Sequence, residues 1–186
     1  MRAAKRIFER DGFLDARITD ITAAAGTATG SFYKYFGSKE EIFLAVVEAL
    51  EGEGLHAASL EVLCSERDDL EAEATEYLRG YLAAYQRNAK LMSVVEEVTN
   101  ISDEFRRDRT ARAQPYINGN VAAIRALQTA GRADPEIDPL IAGRTLAVMI
   151  SRAAYVTFVL EEEGAASIDG LAATLTRLWL NALRIP

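Results

Sequence analysis

Residues 18–41 read ITDITAAAGTATGSFYKYFGSKEE, and their pattern predicts two short helices around a tight turn, followed by a third, longer helix. Ile18, Ile21 and Ala25 recur at helical spacing. Gly26 follows them, where the end of a helix favours a left-handed residue without a Cβ atom. The second helix must therefore leave the first at a steep angle. This arrangement is typical of a helix-turn-helix unit.

The second of these helices has a polar, aromatic and basic outer face. Phe32 and Phe36 lie one turn apart and can pack back onto the first helix. The outer positions are then Thr29, Ser31, Tyr33, Lys34 and Tyr35. Ser38 and Glu41 have the spacing of a capping box, which predicts a firm start for the third helix. The unit therefore presents a surface suited to a DNA groove.

The order of these residues resembles the N-terminal signature of the TetR family of bacterial transcriptional regulators. The matching elements are Ile21-Thr22, Ala25-Gly26, Gly30-Ser31-Phe32-Tyr33, Tyr35-Phe36 and Ser38-Lys39-Glu40. About 45 residues carry the match, and the rest resembles the family in length and helical pattern. The resemblance implies an all-α fold of about nine helices. A three-helix DNA-binding domain would occupy residues 1–45, and an effector-binding and dimerisation domain residues 46–186.

The resemblance also implies which residues contact DNA. They are Arg17, Thr19, Thr29, Gly30, Ser31, Tyr33, Lys34, Tyr35 and Lys39. Gly30 would permit close backbone approach, and Ser31 could read a base or bond a phosphate. Tyr33 and Lys39 would hold phosphates. Arg17 stands where the family usually has a capping Ser or Thr, so we expect it either to weaken that cap or to reach a phosphate.

Composition supports a protein that folds without covalent staples. The 186 residues are 49% hydrophobic, and Cys64 is the single cysteine, which excludes an internal disulfide framework. No apolar run approaches the roughly 18 residues of a membrane span. The amphipathic start, residues 1–8, lacks the apolar core of a signal peptide. We therefore expect a cytoplasmic protein.

The net charge of −7 is unevenly distributed. Residues 1–45 contain seven Lys or Arg against six Asp or Glu, and residues 46–186 contain 14 against 22. This asymmetry fits a mildly basic DNA-binding domain, residues 1–45, on an acidic domain, residues 46–186. We call the first domain the head and the second the body. Farther along, four arginines at 106, 107, 109 and 112 alternate with acidic residues, which favours a solvated helix face.

Few residues in this chain have the chemistry of an active site. There is one histidine and one cysteine, so few pairs of nucleophile and base exist. His56 has no metal-ligand partner at helical spacing, and no glycine-rich loop follows a predicted strand. We therefore expect neither an enzyme nor a metal or cofactor site.

A helix near residues 70–87 carries tyrosines at 77, 81 and 85, four residues apart. Their phenols would either find partners in a core or line a pocket, and both alternatives stay open. The resemblance places effector-binding positions at Tyr77, Tyr81, Tyr85, Met92, Tyr116, Asn120, Met149, Arg152 and Tyr155. We expect a lipophilic small molecule with a carbonyl or hydroxyl group. Arg152 would select an anion if it points inward, or reach water if it points outward.

Two predicted terminal helices, opened by Asp138-Pro139 and by Ser167, are more apolar than one buried stripe requires. In the TetR family such helices pair with those of a second copy as a four-helix bundle. The resemblance therefore places Val156, Leu171, Leu175 and Trp179 at a homodimer interface. Between head and body, Gly52 and Gly54 predict either a helix end or a pliable joint.

These features together predict a ligand-responsive transcriptional regulator that acts as a repressor. As a homodimer it would bind a palindromic double-stranded DNA operator and be released by a lipophilic effector. The alternative is a sequence-tolerant DNA-binding protein without effector sensing.

Overall fold

The computed structural model describes residues 1–55, 59–64, 69–161 and 167–185. Within those ranges the secondary structure is entirely helical, as predicted. The helices are α1 (Arg2–Asp15), α2 (Ile18–Ala24), α3 (Thr29–Phe32), α4 (Lys39–Leu50), α5 (Leu70–Arg87), α6 (Ala89–Ile101), α7 (Asp103–Thr129), α8 (Pro139–Phe158) and α9 (Ile168–Leu183). A π-helical turn at Glu51–Leu55 follows α4, and a 3-10 segment spans Leu60–Cys64.

The first four helices enclose a small aromatic core. The Phe43 ring of α4 lies 5.0 Å from the Phe8 ring and 5.1 Å from the Phe13 ring, both measured between centroids. Ile21 of α2 and Phe32 of α3 are buried in the same core. The predicted packing of Phe32 against the first helix-turn-helix element is confirmed. Because α4 supplies Phe43, this helix is part of the head as well as of the body.

Helix α1 is interrupted at Gly12, whose φ of 74° places it in the left-handed region that favours glycine. The helix-one pattern predicts an end at Asp11, but a helical turn resumes after the break and reaches Asp15. The predicted end of the helix is therefore wrong, although its backbone leaves the helical region at the glycine that was expected to end it. The resumed turn brings Phe13 into the aromatic core.

The turn between α2 and α3 has the predicted left-handed glycine. Gly26 has a φ of 66°, its N–H donates to the Ala23 carbonyl, and the Thr27 N–H donates to the Thr22 carbonyl. These two bonds form a Schellman motif, which satisfies carbonyls at the end of α2. Helix α3 follows as a single turn of four residues.

Helix α4 begins at the predicted capping box. The Ser38 hydroxyl accepts from the Glu41 N–H at 3.1 Å. The Glu41 carboxylate, however, accepts from the Gly37 N–H at 2.6 Å. In the usual capping box the acidic side chain returns to the N-cap residue itself. Here it bonds one residue earlier, and both ends of the motif still fix the start of α4.

The body consists of α5 to α9 around a continuous apolar core. Helix α5 packs against α9, and α7 packs against α8. The fully buried side chains include Leu78 and Leu82 of α5, Ile124 of α7 and Trp179 of α9. Helix α8 starts as predicted, with the Asp138 carboxylate accepting two backbone N–H groups. In the part of the chain that the structure describes, no helix is long and apolar enough to cross a bilayer.

The segment at Gly52 and Gly54 joins the head to the body. The α-helix ends at Leu50, and the next five residues form the π-helical turn, which contacts α5. The segment is therefore neither a plain loop nor a continued α-helix. Single π turns within helices are rare and often mark functional sites.

Candidate functional site

The predicted DNA-reading surface lies on α3 and the turn after it. Tyr33 is 57% exposed and Tyr35 is 76% exposed, although both are large aromatic residues. Gly30 and Lys34 are exposed as well, while Ser31 is half-buried. The buried Phe32 ring meets the Tyr33 ring edge-on at 5.3 Å. One buried aromatic residue therefore anchors this short helix, and the side chains of Tyr33, Lys34 and Tyr35 after it face outward.

Thr29 helps to fix the start of α3 on α2. The Thr22 hydroxyl donates to the Thr19 carbonyl at 3.0 Å, and it lies 3.2 Å from the Thr29 hydroxyl. Because the Thr22 proton is already committed, Thr29 is the donor of that pair. This bond ties the start of α3 to α2, although the N-cap residue Ala28 makes no side-chain cap. The Thr29 proton is thereby used within the protein.

Arg17 and Thr19 lie at the start of α2, and both are exposed. Arg17 is the N-cap residue and makes no side-chain cap bond. Arg17 therefore does not replace the capping bond that a Ser or Thr would make at this position.

Lys39 makes contacts that the sequence did not predict. Its ammonium nitrogen donates to the carbonyls of Phe13, Leu14 and Ala16 at 2.6, 3.0 and 3.0 Å. It also lies 4.7 Å from the centroid of the Phe13 ring. An ammonium has three donors, and here three carbonyls at the end of α1 accept them. The phosphate contact predicted from the sequence is untested, and these three bonds leave the Lys39 ammonium without a free donor for a phosphate.

A cavity of about 490 Å³ lies in the body, between the end of α4 and helices α5 to α8. Its wall contains six of the nine predicted effector positions: Tyr81, Tyr85, Met92, Tyr116, Arg152 and Tyr155. Its volume falls within the range of small-molecule sites. Val47, Leu50 and Glu51 contribute the α4 side of the same wall.

The other three predicted positions do not line this cavity. The Tyr77 hydroxyl accepts from the Ser59 N–H at 2.8 Å, on a separate groove. Asn120 is fully buried, and its side-chain oxygen accepts from the Leu60 N–H at 2.7 Å. Met149 packs against the hydrophobic core. Helical spacing placed these residues on the right helices, but their partners across the chain decided their direction.

Two ion-pair groups at the cavity were missed by the sequence reading. Arg109 and Arg112, expected on a solvated face, line the cavity instead. The Arg109 guanidinium lies 2.9 Å from the Glu96 carboxylate. Arg112 lies 2.9 Å from Asp108, 3.5 Å from Glu51 and 3.6 Å from Glu48. The three-residue spacing of Arg109 and Arg112 could have predicted that they act together, because it puts both side chains on one helix face.

Two tyrosines of the cavity wall, Tyr81 and Tyr85, are shielded from water. Burial raises the pKa of both Tyr81 and Tyr85 well above the usual phenol value, so both phenols are neutral at physiological pH. Burial also raises the pKa of Glu51, and this effect exceeds the opposing attraction of Arg112. A ligand in this space would therefore contact mainly apolar surface and neutral hydroxyls.

The predicted dimer positions need correction. Trp179 and Leu175 are 0% and 3% exposed within a single chain, so a partner could not reach their side chains. They pack inward because α9 buries that face against α5. Val156 and Leu171 are half-buried. The large apolar side chains that face outward on α8 and α9 are Leu140, Ile141, Val148 and Leu178.

Comparison with known proteins agrees with the geometry of the head. The family model described as bacterial regulatory proteins of the tetR family matches residues 1–46. These residues therefore match the N-terminal domain of TetR-family regulators. It is also 24% identical, over 98% of its length and 83% of the relative, to the HTH-type transcriptional regulator EthR of Mycolicibacterium smegmatis. The repressor NicS of Pseudomonas putida is 40% identical over 48 residues, 26% of this chain and 23% of that protein.

Solved structures extend the likeness to the whole TetR-family fold. The fatty acid degradation regulator FadR from Bacillus halodurans has a TM-score of 0.76 at 19% identity, covering 98% of this chain and 97% of that one. FadR from Bacillus subtilis, in complex with stearoyl-CoA, has a TM-score of 0.71 at 16% identity, covering 96% and 94%. These structures show the fold, and the match of residues 1–46 together with the likeness to EthR supports a DNA-binding transcriptional regulator.

Proposed function

We propose that this regulator is a repressor that binds a palindromic operator as a homodimer and releases it when a lipophilic effector fills the body cavity. Residues 1–45 would bind DNA, and residues 46–186 would bind the effector and form the dimer. The observation that carries the proposal is the shared helix α4. Its first half packs in the head core through Phe43, and its last turns line the cavity through Val47 and Leu50.

The shared helix supplies a physical path between the two sites. A ligand changes DNA affinity only if it binds one arrangement of the protein better than the other. Occupying the space beside Val47, Leu50 and Glu51 would favour arrangements in which the end of α4 lies farther from α7. Because Phe43 is packed between Phe8 and Phe13, a shift of α4 would carry the head with it.

The cavity wall supports a lipophilic effector. Tyr81, Tyr85 and Val95 are buried, and the phenols are neutral. The similar FadR structure from Bacillus subtilis contains stearoyl-CoA, a ligand with a long apolar chain. An apolar portion in this cavity would remove hydrocarbon from water at a gain of about 25 cal/mol per Å².

The DNA contacts are proposed from exposure and position. Ser31, Tyr33, Lys34 and Tyr35 would enter or flank the major groove, and Arg17 would reach a phosphate beside it. In a two-fold dimer the two α3 helices need half-sites about one helical turn apart, or a multiple of it. A palindromic operator follows from that symmetry.

The dimer would form through the outer faces of α8 and α9. Leu140, Ile141 and Leu178 are 43%, 67% and 46% exposed, an unusual exposure for aliphatic side chains on the two terminal helices. A partner that covers them would bury the apolar surface that the sequence marks as surplus. The interface therefore moves from Leu175 and Trp179 to their outward-facing neighbours.

DNA binding and release can be tested with one selected duplex. Selection from a random pool should yield a palindrome, and its affinity is then measured by fluorescence anisotropy at fixed salt. Adding a lipid extract of the host cell should weaken binding about 5- to 150-fold, the usual range of allosteric coupling. Enrichment of no sequence would favour the sequence-tolerant alternative. If a palindrome is selected but the lipid extract does not change the affinity of the protein for it, effector release would be contradicted.

Sedimentation velocity tests the dimer surface. At micromolar concentration the protein should sediment as a dimer, and Leu178→Glu should shift it to monomer, because a charge would be buried at the interface. Leu14→Glu is the matched control, since Leu14 is 63% exposed on the head. A wild-type monomer, or a Leu178→Glu dimer of unchanged strength, would contradict this surface.

A further inference from the structure

Two arginines on α8 line the mouth of the cavity. Arg144 and Arg152 are exposed, and both contribute to its wall. The Arg152 guanidinium carbon lies 4.8 Å from the centroid of the Tyr155 ring, which also belongs to the wall. This stacking holds the guanidinium at the rim instead of leaving it free in solvent. Arg152 therefore faces both the cavity and water.

These two arginines differ from the two on α7. Arg109 is neutralised by Glu96, and Arg112 by Asp108, Glu51 and Glu48. Neither Arg144 nor Arg152 has an ion pair with any residue that the structure describes. The acidic side chains at the cavity are thus committed to the α7 arginines. Among the residues that the structure describes, Arg144 and Arg152 are thus two arginines at the mouth without an acidic partner.

An uncharged effector would leave the Arg144 and Arg152 guanidinium groups without an ionic partner, whereas an anionic effector would pair with them. We propose that the effector is an amphipathic anion, with its apolar chain inside the cavity and its negatively charged head group held by Arg144 and Arg152. This inference rests on the proposed function of the cavity as the effector site. Guanidinium binds carboxylate and phosphate oxygens through paired, charge-assisted hydrogen bonds.

The spacing of the two arginines bears on the size of the head group. They are eight residues apart on α8, which corresponds to about 12 Å of helix rise. Val148 lies between them on the same rim. A small head such as a carboxylate would be held by one guanidinium, whereas an extended phosphate-bearing head would contact both. The shared chemistry is an anionic head on an apolar chain, and the two sources can be distinguished experimentally.

Calorimetric titration with matched ten-carbon probes tests the proposal. Decanoate, decanol and decyltrimethylammonium share a tail and differ in charge, and decanoyl-coenzyme A adds an extended anionic head. With each probe below its micelle concentration, decanoate should bind roughly tenfold more tightly than decanol, a factor typical of one charge-assisted contact. The cationic probe should bind most weakly. The preference should diminish with added salt, because the mouth is open to solvent.

Variants assign the preference to these residues. The double variant Arg144→Gln/Arg152→Gln should bind decanoate and decanol about equally. Arg125→Gln is the control, because Arg125 is exposed on α7 away from the cavity, and it should keep the wild-type ratio. If an extended head is bound, each single variant should weaken decanoyl-coenzyme A, whereas only one should weaken decanoate.

Several results would overturn the proposal. Equal binding of decanoate and decanol by the wild type would refute anion selection while leaving a lipophilic effector in place. Binding of none of the probes would refute both this inference and the ligand-sensing function. A preference that survives the double variant would place the anion elsewhere. If that variant also lost the dimer in sedimentation, the two arginines would belong to the subunit contact instead.

Discussion

Replacing Lys39 with methionine should destabilise the head without removing a DNA phosphate contact. Lys39 is the first residue of α4, where the helix dipole disfavours a cation. The three carbonyls of Phe13, Leu14 and Ala16, at the opposite end of α1, outweigh that cost. The side chain therefore connects the end of one helix to the start of another, and methionine keeps its length without its charge.

The size of the effect follows from these contacts. A hydrogen bond to a charged group contributes about 1.5 to 3 kcal/mol when buried, and less when water competes. Lys39 is half-buried, so its three bonds together should contribute about 2 kcal/mol. In a chain of this length that loss corresponds to a melting temperature lower by roughly 4 to 8 °C. Lys34→Met is the matched control and should change stability by less than about 0.5 kcal/mol, because Lys34 is exposed.

DNA binding separates the two lysines further. With its donors on carbonyls, Lys39 has none left for a phosphate, so Lys39→Met should keep the wild-type salt slope. Lys34→Met should reduce that slope by about 0.9, the value for one phosphate contact. The measurements are thermal unfolding and anisotropy across a salt series. An unchanged melting temperature for Lys39→Met would refute the structural role, and a reduced slope would show that its ammonium leaves α1 for the DNA.

Three further predictions concern α4 and its continuation. Burial raises the pKa of Glu51, so the contribution of this carboxyl to stability should decrease as pH rises above the ordinary glutamate value of 4.5. Glu51→Gln should therefore gain stability relative to the wild type between about pH 4 and pH 7, measured by urea unfolding. Gly52→Ala should raise the free energy of unfolding by up to about 1 kcal/mol, because no atom lies within 4 Å of the new methyl group; a lower melting temperature would contradict this. Ser38→Ala should cost about 1 kcal/mol in the same assay through loss of its cap, and an unchanged value would show that Glu41 suffices.

The sequence was most informative where the structure depends on local rules. Gly26 requires a left-handed conformation, and Ser38 and Asp138 are caps, all of which follow from neighbouring residues. The all-α fold and the helix-turn-helix follow from helical spacing for the same reason. A local pattern can be read from one stretch because its energy depends on that stretch alone.

Side-chain direction in the body was harder to predict. Trp179 looked like surplus apolar surface, but α5 covers it completely. Asn120 lies on a helix that borders the cavity, yet its amide bonds Leu60, sixty positions earlier in the chain. Arg112 looked solvated because its acidic partners Glu48 and Glu51 are distant in sequence. In each case a long-range neighbour decides the direction, and the spacing of one helix contains no information about that neighbour.

The contacts at the two ends of α4 differ in kind, and this difference indicates which end an effector would move. At the start, Lys39 bonds three carbonyls and Phe43 packs against Phe8 and Phe13, so head and helix should move together. The Phe105 ring of α7, 5.3 Å from the Phe43 ring, is a contact with the body at this end. At the other end, Arg112 reaches Glu48 and Glu51 at 3.6 and 3.5 Å, longer than good hydrogen bonds. Weak contacts there can be exchanged within the 1 to 3 kcal/mol typical of allosteric coupling, whereas unpacking the aromatic core would cost more. An effector beside Leu50 would therefore displace the end of α4 at the π-helical turn, and the head would follow as a rigid unit.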